Sequence, residues 1–500
     1  MIRPRKNYWL WVLLFFFAIS PVRASDETAL IQSSRDIPPL VQNYNYDLKL
    51  LAENIREAQA SLLNLQGQYY YPELKTEFNY LDDRQQPNNP FQPARERDFF
   101  WEVRTEQKLP QGVTTKFGVS NLRSTIFQSD PPNPLLPYPA DFNEPVVFLN
   151  VTVDVLQDLL GYITRKELRL SNLDYDTAVL TSVLFRHKMT VSAINLFMQT
   201  INLQSQEALR RQIIAEFSRL RTDLQVKLGR SIGDRGDLDR VNRLIATAQT
   251  DIIRLQKNRD VVVKNLQNIL GISGNSQVKP GENSEALLEK TRGCEQEFLQ
   301  AEFSPQFSRE FELFKLEKTK GDLQAKIYRR QRLPNISLEG SVSTTGTDPT
   351  LGGSFNEVAN FDRPIYMAGV KFSWPLSPKR IRAAKEAAMA SSNYPSIDYD
   401  KLLHERKLLW QETQQNIRHL REEYETTLKA LRAGKGEVAD LISRFDQGRV
   451  SFFQLSEARV ELFRLQVAAE ALKIQRTENL LETLQLFDQF QCPLIPVWHS

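Results

Sequence analysis

Hydrophobic positions recur along this chain with two periods, and each period keeps to its own stretches. Leu238, Val241, Ile245, Ala248, Ile252 and Leu255 alternate three and four residues apart, and Leu455, Ala458, Leu462, Leu465, Ala469 and Leu472 repeat the spacing. This is the seam by which helices pair along their length. Ile213, Phe217, Leu220 and Leu224 carry the same seam on a preceding stretch. Elsewhere the period is two: Val147 to Val155, Ile336 to Val342, Ala368 to Leu376, and Leu74, Phe78 and Tyr80 place every second residue on an apolar side. Such segments fit transmembrane strands with a lipid side and a lumen side. They fit equally a soluble antiparallel sandwich with one buried face.

The order of these elements is duplicated. Val151-Thr152-Val153-Asp154-Val155 and Val370-Lys371-Phe372-Ser373-Trp374 each lead into a long helix, and they lie 219 residues apart. Leu228-Gly229-Arg230 and Gln447-Gly448-Arg449 each interrupt a helical run, again 219 apart. The strand openings Tyr71-Pro72-Glu73-Leu74 and Leu333-Pro334-Asn335-Ile336 are 262 apart, so the first copy carries an insertion between residues 82 and 145. The first repeat covers 25–275, with helices over 41–71, 161–228 and 238–271 and strands over 72–81 and 146–156. A linker rich in Gly, Ser and Glu spans 276–304. The second repeat covers 305–491, with helices over 305–333, 381–447 and 452–490 and strands over 334–344 and 366–376, before a tail at 492–500. The insertion supplies a hairpin, 98–124, turning at Leu109-Pro110-Gln111-Gly112; its pattern places it either in the same wall or outside it.

A helix of about 67 residues spans roughly 100 Å, more than a compact domain. In each repeat the two shorter helices together match the long one, so they stack end to end along it, with the joints, the linker and the tail at mid-rod. At the N-terminus Arg3, Arg5 and Lys6 precede an apolar run from Tyr8 to Ile19 and then Pro21-Val22-Arg23-Ala24. This reads as a secretory signal peptide over 1–24, since about 12 apolar residues fall short of the roughly 20 of a spanning helix. A membrane crossing by the remainder therefore requires a β-barrel. Leader and rod together favour the membrane reading of the strands, with Tyr69, Tyr70, Tyr71, Tyr366 and Trp374 as an interfacial aromatic girdle. Four strands cannot close a barrel, and open edges are not tolerated in lipid. Three copies supply twelve strands and room for water.

Composition narrows the chemistry. The 64 basic and 61 acidic side chains leave a net charge of +3, without the concentrated basic face of a nucleic-acid binder. Four histidines, His187, His404, His419 and His499, and two cysteines have no metal-ligand spacing. No G-x-S-x-G, phosphate loop, H-E-x-x-H or C-x-x-C occurs. The expectation is no enzyme, no metal and no cofactor. The rival from another class is a periplasmic coiled-coil structural or adaptor protein with a soluble β head.

The chain resembles the TolC-type outer-membrane efflux protein family, the outer membrane factors. The likeness rests on the two strand openings, on Leu156-Gln157-Asp158-Leu159-Leu160-Gly161 and Phe372-Ser373-Trp374-Pro375-Leu376 before the long helices, and on Phe445-Asp446-Gln447-Gly448-Arg449-Val450-Ser451 with Gln454-Leu455-Ser456-Glu457-Ala458 at the second turn. It covers nearly all the mature chain, and it is the duplicated order that is specific. The resemblance implies a mainly α fold with a transmembrane β-barrel, in which a homotrimeric twelve-stranded barrel in outer-membrane lipid is continued by a long α-helical coiled-coil barrel through the periplasm of a Gram-negative cell. It also implies a passive exit duct of a tripartite efflux pump or type I secretion system, working with a periplasmic adaptor and an inner-membrane RND or ABC transporter.

The resemblance extends to sites. Asp237 is similar to the gating aspartate of the first turn and Glu457 to one position of an acidic ring, whose other position is Gln454. The tip arginine corresponds to Arg449, with Val450 the closer match in position. The first turn is two residues longer than the second, so the gate is expected among Asp234, Arg235, Asp237, Asp239, Arg240, Arg444, Asp446 and Arg449. Leu228, Gly229 and Arg230, with Gln447, Gly448 and Arg449, resemble the tips to which adaptors dock; a plain glycine helix cap reads the same way. Cys294, in the linker, and Cys492, just past the last helix, are both assigned to the mid-rod girdle, where an oxidising compartment makes a disulfide a candidate.

Overall fold

Two helices of 68 and 69 residues, Tyr162–Gly229 and Pro378–Asp446, set the length of the molecule. The computed structural model describes residues 30–84, 95–127, 141–230, 234–272, 277–361, 363–374, 377–488, 490 and 492. The expected leader at 1–24 and the tail after Cys492 lie outside the described residues.

In chain order the elements are β1 (Leu30–Ile31), α1 (Ile37–Tyr44) and α2 (Tyr46–Tyr70), then β2 (Glu73–Asp83), β3 (Arg95–Leu109), β4 (Val113–Phe127) and β5 (Asp141–Asp154). α3 (Tyr162–Gly229) and α4 (Arg235–Leu270) complete the first repeat. Next come β6 (Gln277–Val278), parallel to β1, and α5 (Ser284–Gln300). The second repeat is α6 (Glu310–Gln331), β7 (Asn335–Thr345), α7 (Leu351–Ala359), β8 (Pro364–Ser373), α8 (Pro378–Asp446) and α9 (Phe452–Leu486).

The short helices lie along the long ones. α2 and α4 both pack on α3, and α6 and α9 both pack on α8. Their ends meet at mid-rod. Asn45 donates to the Ile269 carbonyl at 2.6 Å. Gly271 turns the chain with φ 66°, and a Cβ there would sit 2.3 Å from the Tyr44 carbonyl. In the second repeat the Arg309 amide donates to Asp488 at 2.8 Å. Around these joints runs the larger apolar cluster, from Val191, Ile194 and Phe197 of α3 to Leu480, Leu481 and Leu484 of α9, with Trp410 of α8 at its centre. Phe298, Phe303, Phe307, Phe487 and Phe490 all contact the Trp410 ring.

Several boundaries differ from the sequence expectation. The helix expected over 41–71 is two helices broken at Asn45, whose side chain accepts from the Leu48 amide at 2.9 Å and so caps α2. The helix expected over 305–333 begins only at Glu310, because Phe303 and Phe307 fold into the Trp410 cluster. The one expected to reach 490 stops at Leu486 for the same reason, with Phe487 and Phe490 turning inward. The linker expected over 276–304 holds a 17-residue helix, α5, capped by Asn283 and packed through Leu287, Thr291, Cys294 and Phe298. The long helix expected from 381 starts at Pro378 and carries Pro395 inside it. Gly321 of α6 leaves the room for that stretch, since a Cβ there would meet the Ser391 carbonyl at 2.1 Å.

The largest addition concerns the sheet. Its order among the described residues is β2-β3-β4-β5-β7-β8, six strands that join the four expected wall strands to the two of the hairpin, whose place the sequence pattern leaves open. The inserted hairpin, longer than the expected 98–124, lies between β2 and β5 in continuous antiparallel register. No helix among the described residues is long and apolar enough to cross a membrane.

Candidate functional site

The pleat sorts the sheet's side chains into two faces. Reading the registers across all six strands, Leu74, Thr105, Phe117, Leu149, Val342 and Tyr366 are successive neighbours on one face. One residue away, Glu73, Glu106, Lys116, Asn150, Ser341 and Met367 are neighbours on the other. The first face is apolar and open: Leu74, Phe78, Tyr80, Phe99, Phe117, Leu149, Leu338, Tyr366, Val370 and Phe372 are all exposed. A band of this extent on a solvated protein is an interaction surface. At one end it gives way to a polar fringe, where Asp82 binds Arg95 and Arg84 (2.5 and 2.9 Å) and Arg123 binds Asp141 (2.8 Å).

The second face is charged. Glu106 bridges Lys75 and Lys116 at 2.9 and 3.6 Å, tying β2, β3 and β4 together. Among the described residues of this face, Glu73, Glu77, Asp83, Glu96, Asp98, Glu102, Glu106, Glu144, Asp154 and Glu339 outnumber Lys75, Arg104, Lys108, Lys116 and Lys371. Among the described residues the edges β2 and β8 are each paired on one side only. Of the five expected girdle aromatics, Tyr70, Tyr71, Tyr366 and Trp374 are exposed, but Tyr69 is buried. Its hydroxyl donates to Glu167 at 3.0 Å, and Lys108 lies over its ring.

The far end of the rod carries the turns between α3 and α4 and between α8 and α9. A second apolar cluster lies beneath them, joining Phe217, Leu220 and Leu224 to Val241 and Ile245 and to Phe452, Leu455 and Phe463. Two cations cross between the helical pairs here. Lys227 of α3 lies over the Phe445 ring at 4.3 Å, and Arg240 of α4 over the Phe453 ring at 3.8 Å. Asp237 is half-buried, and burial together with neighbouring Asp234 raises its carboxyl above the usual range, against the opposing pull of Arg240.

The structure thus brings Asp237 and Arg240 together but gives other expected gate residues different partners. Arg444 binds Asp440 one turn back at 2.9 Å. Gln454 accepts from Ser451 in the capping box that starts α9, and Asp234 caps α4 through the Gly236 amide. Asp239, Asp446, Arg449 and Glu457 are exposed. Gly448 takes φ 70°, a conformation that calls for glycine, whereas a Cβ on Gly229 would meet nothing within 4 Å among the described residues. Arg230 caps α3 through its amide, and Leu228 and Gln447 flank the two glycines. The roles of Phe445, Phe453 and Lys227 were missed; the signal was an aromatic on either side of a tip glycine.

Phe453→Ala removes the ring under Arg240, a contact of about 0.5–1 kcal/mol. Amide exchange of the segments about 235–240 and 446–456 is expected to quicken about two- to five-fold, with the girdle unchanged.

At mid-rod Cys294 and Cys492 are joined by a disulfide, with Cα atoms 5.4 Å apart. His187 is buried, with Nε2 2.8 Å from the Leu484 carbonyl, and burial pulls its imidazole below the ordinary value. Among the described residues no three His, Cys, Asp or Glu side chains converge to hold a metal. Glu478 on α9 is largely enclosed, and burial first, then Glu482, pushes its carboxyl up to about 7. The folded chain therefore keeps a proton that the unfolded chain loses near pH 4.5. Stability falls as pH rises from there to about 7. Glu478→Gln is expected to raise the melting temperature at pH 8 by on the order of 1 °C, and to leave it unchanged at pH 4.5.

No family model matches the chain, and no curated protein matches it in sequence. Solved structures do match it over nearly its whole length. The CmeC outer membrane channel of Campylobacter jejuni is 14% identical, with a TM-score of 0.64, covering 92% of this chain and 86% of that one. The outer membrane protein VceC of Vibrio cholerae is 11% identical, at a TM-score of 0.65 over 91% and 95%. The open-state MtrE outer membrane channel of Neisseria gonorrhoeae is 13% identical, at 0.61 over 91% and 88%. The chain has the fold of outer-membrane channels. The exposed apolar band and the ring-and-cation contacts described above lie at the two ends of this chain.

Proposed function

We propose that this chain is a TolC-type outer-membrane channel-tunnel, a homotrimer that acts as a passive exit duct and carries out no catalysis. The observation that carries the reading is the six-stranded sheet, apolar and exposed on one face, charged on the other and, among the described residues, unpaired at both edges. A soluble head would bury that face; in lipid it is the required surface, and the edges are satisfied only by neighbouring copies. The charged face then lines the lumen, and its acidic excess favours cations. The rod carries the duct into the periplasm, where its tip meets a periplasmic adaptor. Energy comes from an inner-membrane transporter of the RND or ABC type, in an efflux pump or in type I secretion.

Three measurements test this. The protein is expected in the outer-membrane fraction, as a trimer that dissociates on heating, and purified trimers are expected to conduct ions across a bilayer with cations preferred. A dissolved monomer without conductance overturns the reading. Gly229 refines it, since its open flank suits close approach by an adaptor. Gly229→Ala is expected to fold and conduct normally while weakening adaptor capture.

A further inference from the structure

Building on the trimeric duct reading, we infer that the inserted hairpin is part of the membrane wall, so that the barrel has eighteen strands and a correspondingly wider bore. Three observations place β3 and β4 in the wall. First, besides pairing with each other along their full length, they are paired outward with β2 over Glu96–Glu106 and with β5 over Val113–Thr125. An outside hairpin would require both ladders to open. Second, their alternation is in phase with the wall: Phe99, Trp101 and Val103 of β3 and Phe117 and Val119 of β4 continue the apolar face, and Glu106 and Lys116 the charged one. A hairpin standing in water has no need of that apolar row.

Third, the hairpin is seated by glycines where larger residues would collide. At its turn, Gly112 (φ 76°) lies against the Asp158 backbone, where a Cβ would be 2.4 Å from the carbonyl oxygen. Gly161 (φ 70°) lies closer still to Pro110, whose carbonyl oxygen a Cβ would meet at 1.6 Å, and the Asp154 amide donates to the Gly112 carbonyl at 3.2 Å. In mid-strand Gly118 admits the Phe148 ring of β5, which a Cβ would meet at 2.8 Å. The chain leaving β5 is thus built around the hairpin turn.

Perimeter agrees. Each copy contributes four columns to the rod: α3, α8 and the two stacks of short helices. Twelve columns about 9–10 Å apart give a ring of roughly 110–120 Å. Eighteen strands about 4.8 Å apart, tilted about 40°, give roughly 113 Å.

Electron cryomicroscopy of the full-length protein in lipid nanodiscs counts the strands directly. Three copies closing through eighteen strands are expected, with a bore about 1.5 times that of a twelve-stranded wall at equal tilt. Three copies closing through twelve, with the hairpin outside, overturn the inference and leave the duct standing. A particle with no closed barrel overturns the duct itself. A second measurement works in native membranes: Val119→Cys with Val147→Cys, neighbours in the β4–β5 ladder, is expected to cross-link within one chain. Retention of both free thiols under oxidant counts against the hairpin's place in the wall.

Discussion

Cys294→Ser is expected to lower the stability of the folded chain by about 3–5 kcal/mol. The two cysteines are 198 residues apart in sequence, and closing so long a loop removes a large share of the unfolded chain's freedom. The chain-entropy estimate reaches about 5 kcal/mol, with measured bridges delivering somewhat less. The bridge joins α5, the helix between the repeats, to the chain just beyond α9. It lies in the same cluster as Phe298 and Phe490, both against Trp410. Its loss frees the segment after Phe490 and loosens α5 from the girdle. Reductant is expected to lower the melting temperature of the wild type to that of Cys294→Ser and to leave the variant unmoved. Cys294→Ser/Cys492→Ser is expected to match either single change, because one bond is lost in each case. A wild-type melt indifferent to reductant contradicts the expectation.

How much of this was legible in sequence follows from where each structure gets its determinants. The long helices were legible because their seams are local: Ile213, Phe217, Leu220 and Leu224 face Val241 and Ile245 at heptad spacing, and glycines mark the turns. α5 was hidden by its composition. Its buried positions Leu287, Thr291, Cys294 and Phe298 keep a helical spacing, but Gly, Ser and Glu around them read as linker. α7 carries Gly352 and Gly353 in nine residues and gave no helical signal. The strands' two faces were legible from period two, yet that period says nothing of which strand lies beside which. The hairpin's place is set by distant partners, Phe148 over Gly118 and Pro110 against Gly161. The tip shows the same division. Its cluster of charges was visible, but partner choice was not: Arg240 takes the Phe453 ring, Arg444 takes Asp440, and Gln454 is held by the helix cap.

The sharpest functional expectation comes from two adjacent residues of β5. Leu149 lies on the apolar face between Phe117 and Val342, and Asn150 on the charged face between Lys116 and Ser341. One arginine placed at each asks which face meets lipid. Leu149→Arg puts a guanidinium into hydrocarbon, at about 2–4 kcal/mol per site near the midplane. With three copies the assembled barrel carries about 6–12 kcal/mol, comparable to the whole stability of a folded domain. The variant is expected to disappear from the outer-membrane fraction. Asn150→Arg places the same charge in water, where the like charge of Lys116 opposite costs about 0.2–1 kcal/mol, so it is expected to assemble at close to wild-type levels. Its readout is conduction instead: three added positive charges in a lumen with an acidic excess lower the preference for cations. The pair separates membrane wall from soluble head without reference to fold. In a sandwich Leu149→Arg also destabilises, but the remaining protein stays soluble and Asn150→Arg changes no conductance. Equal membrane insertion of the two variants would contradict the assignment of the faces and remove the basis for a water-filled barrel.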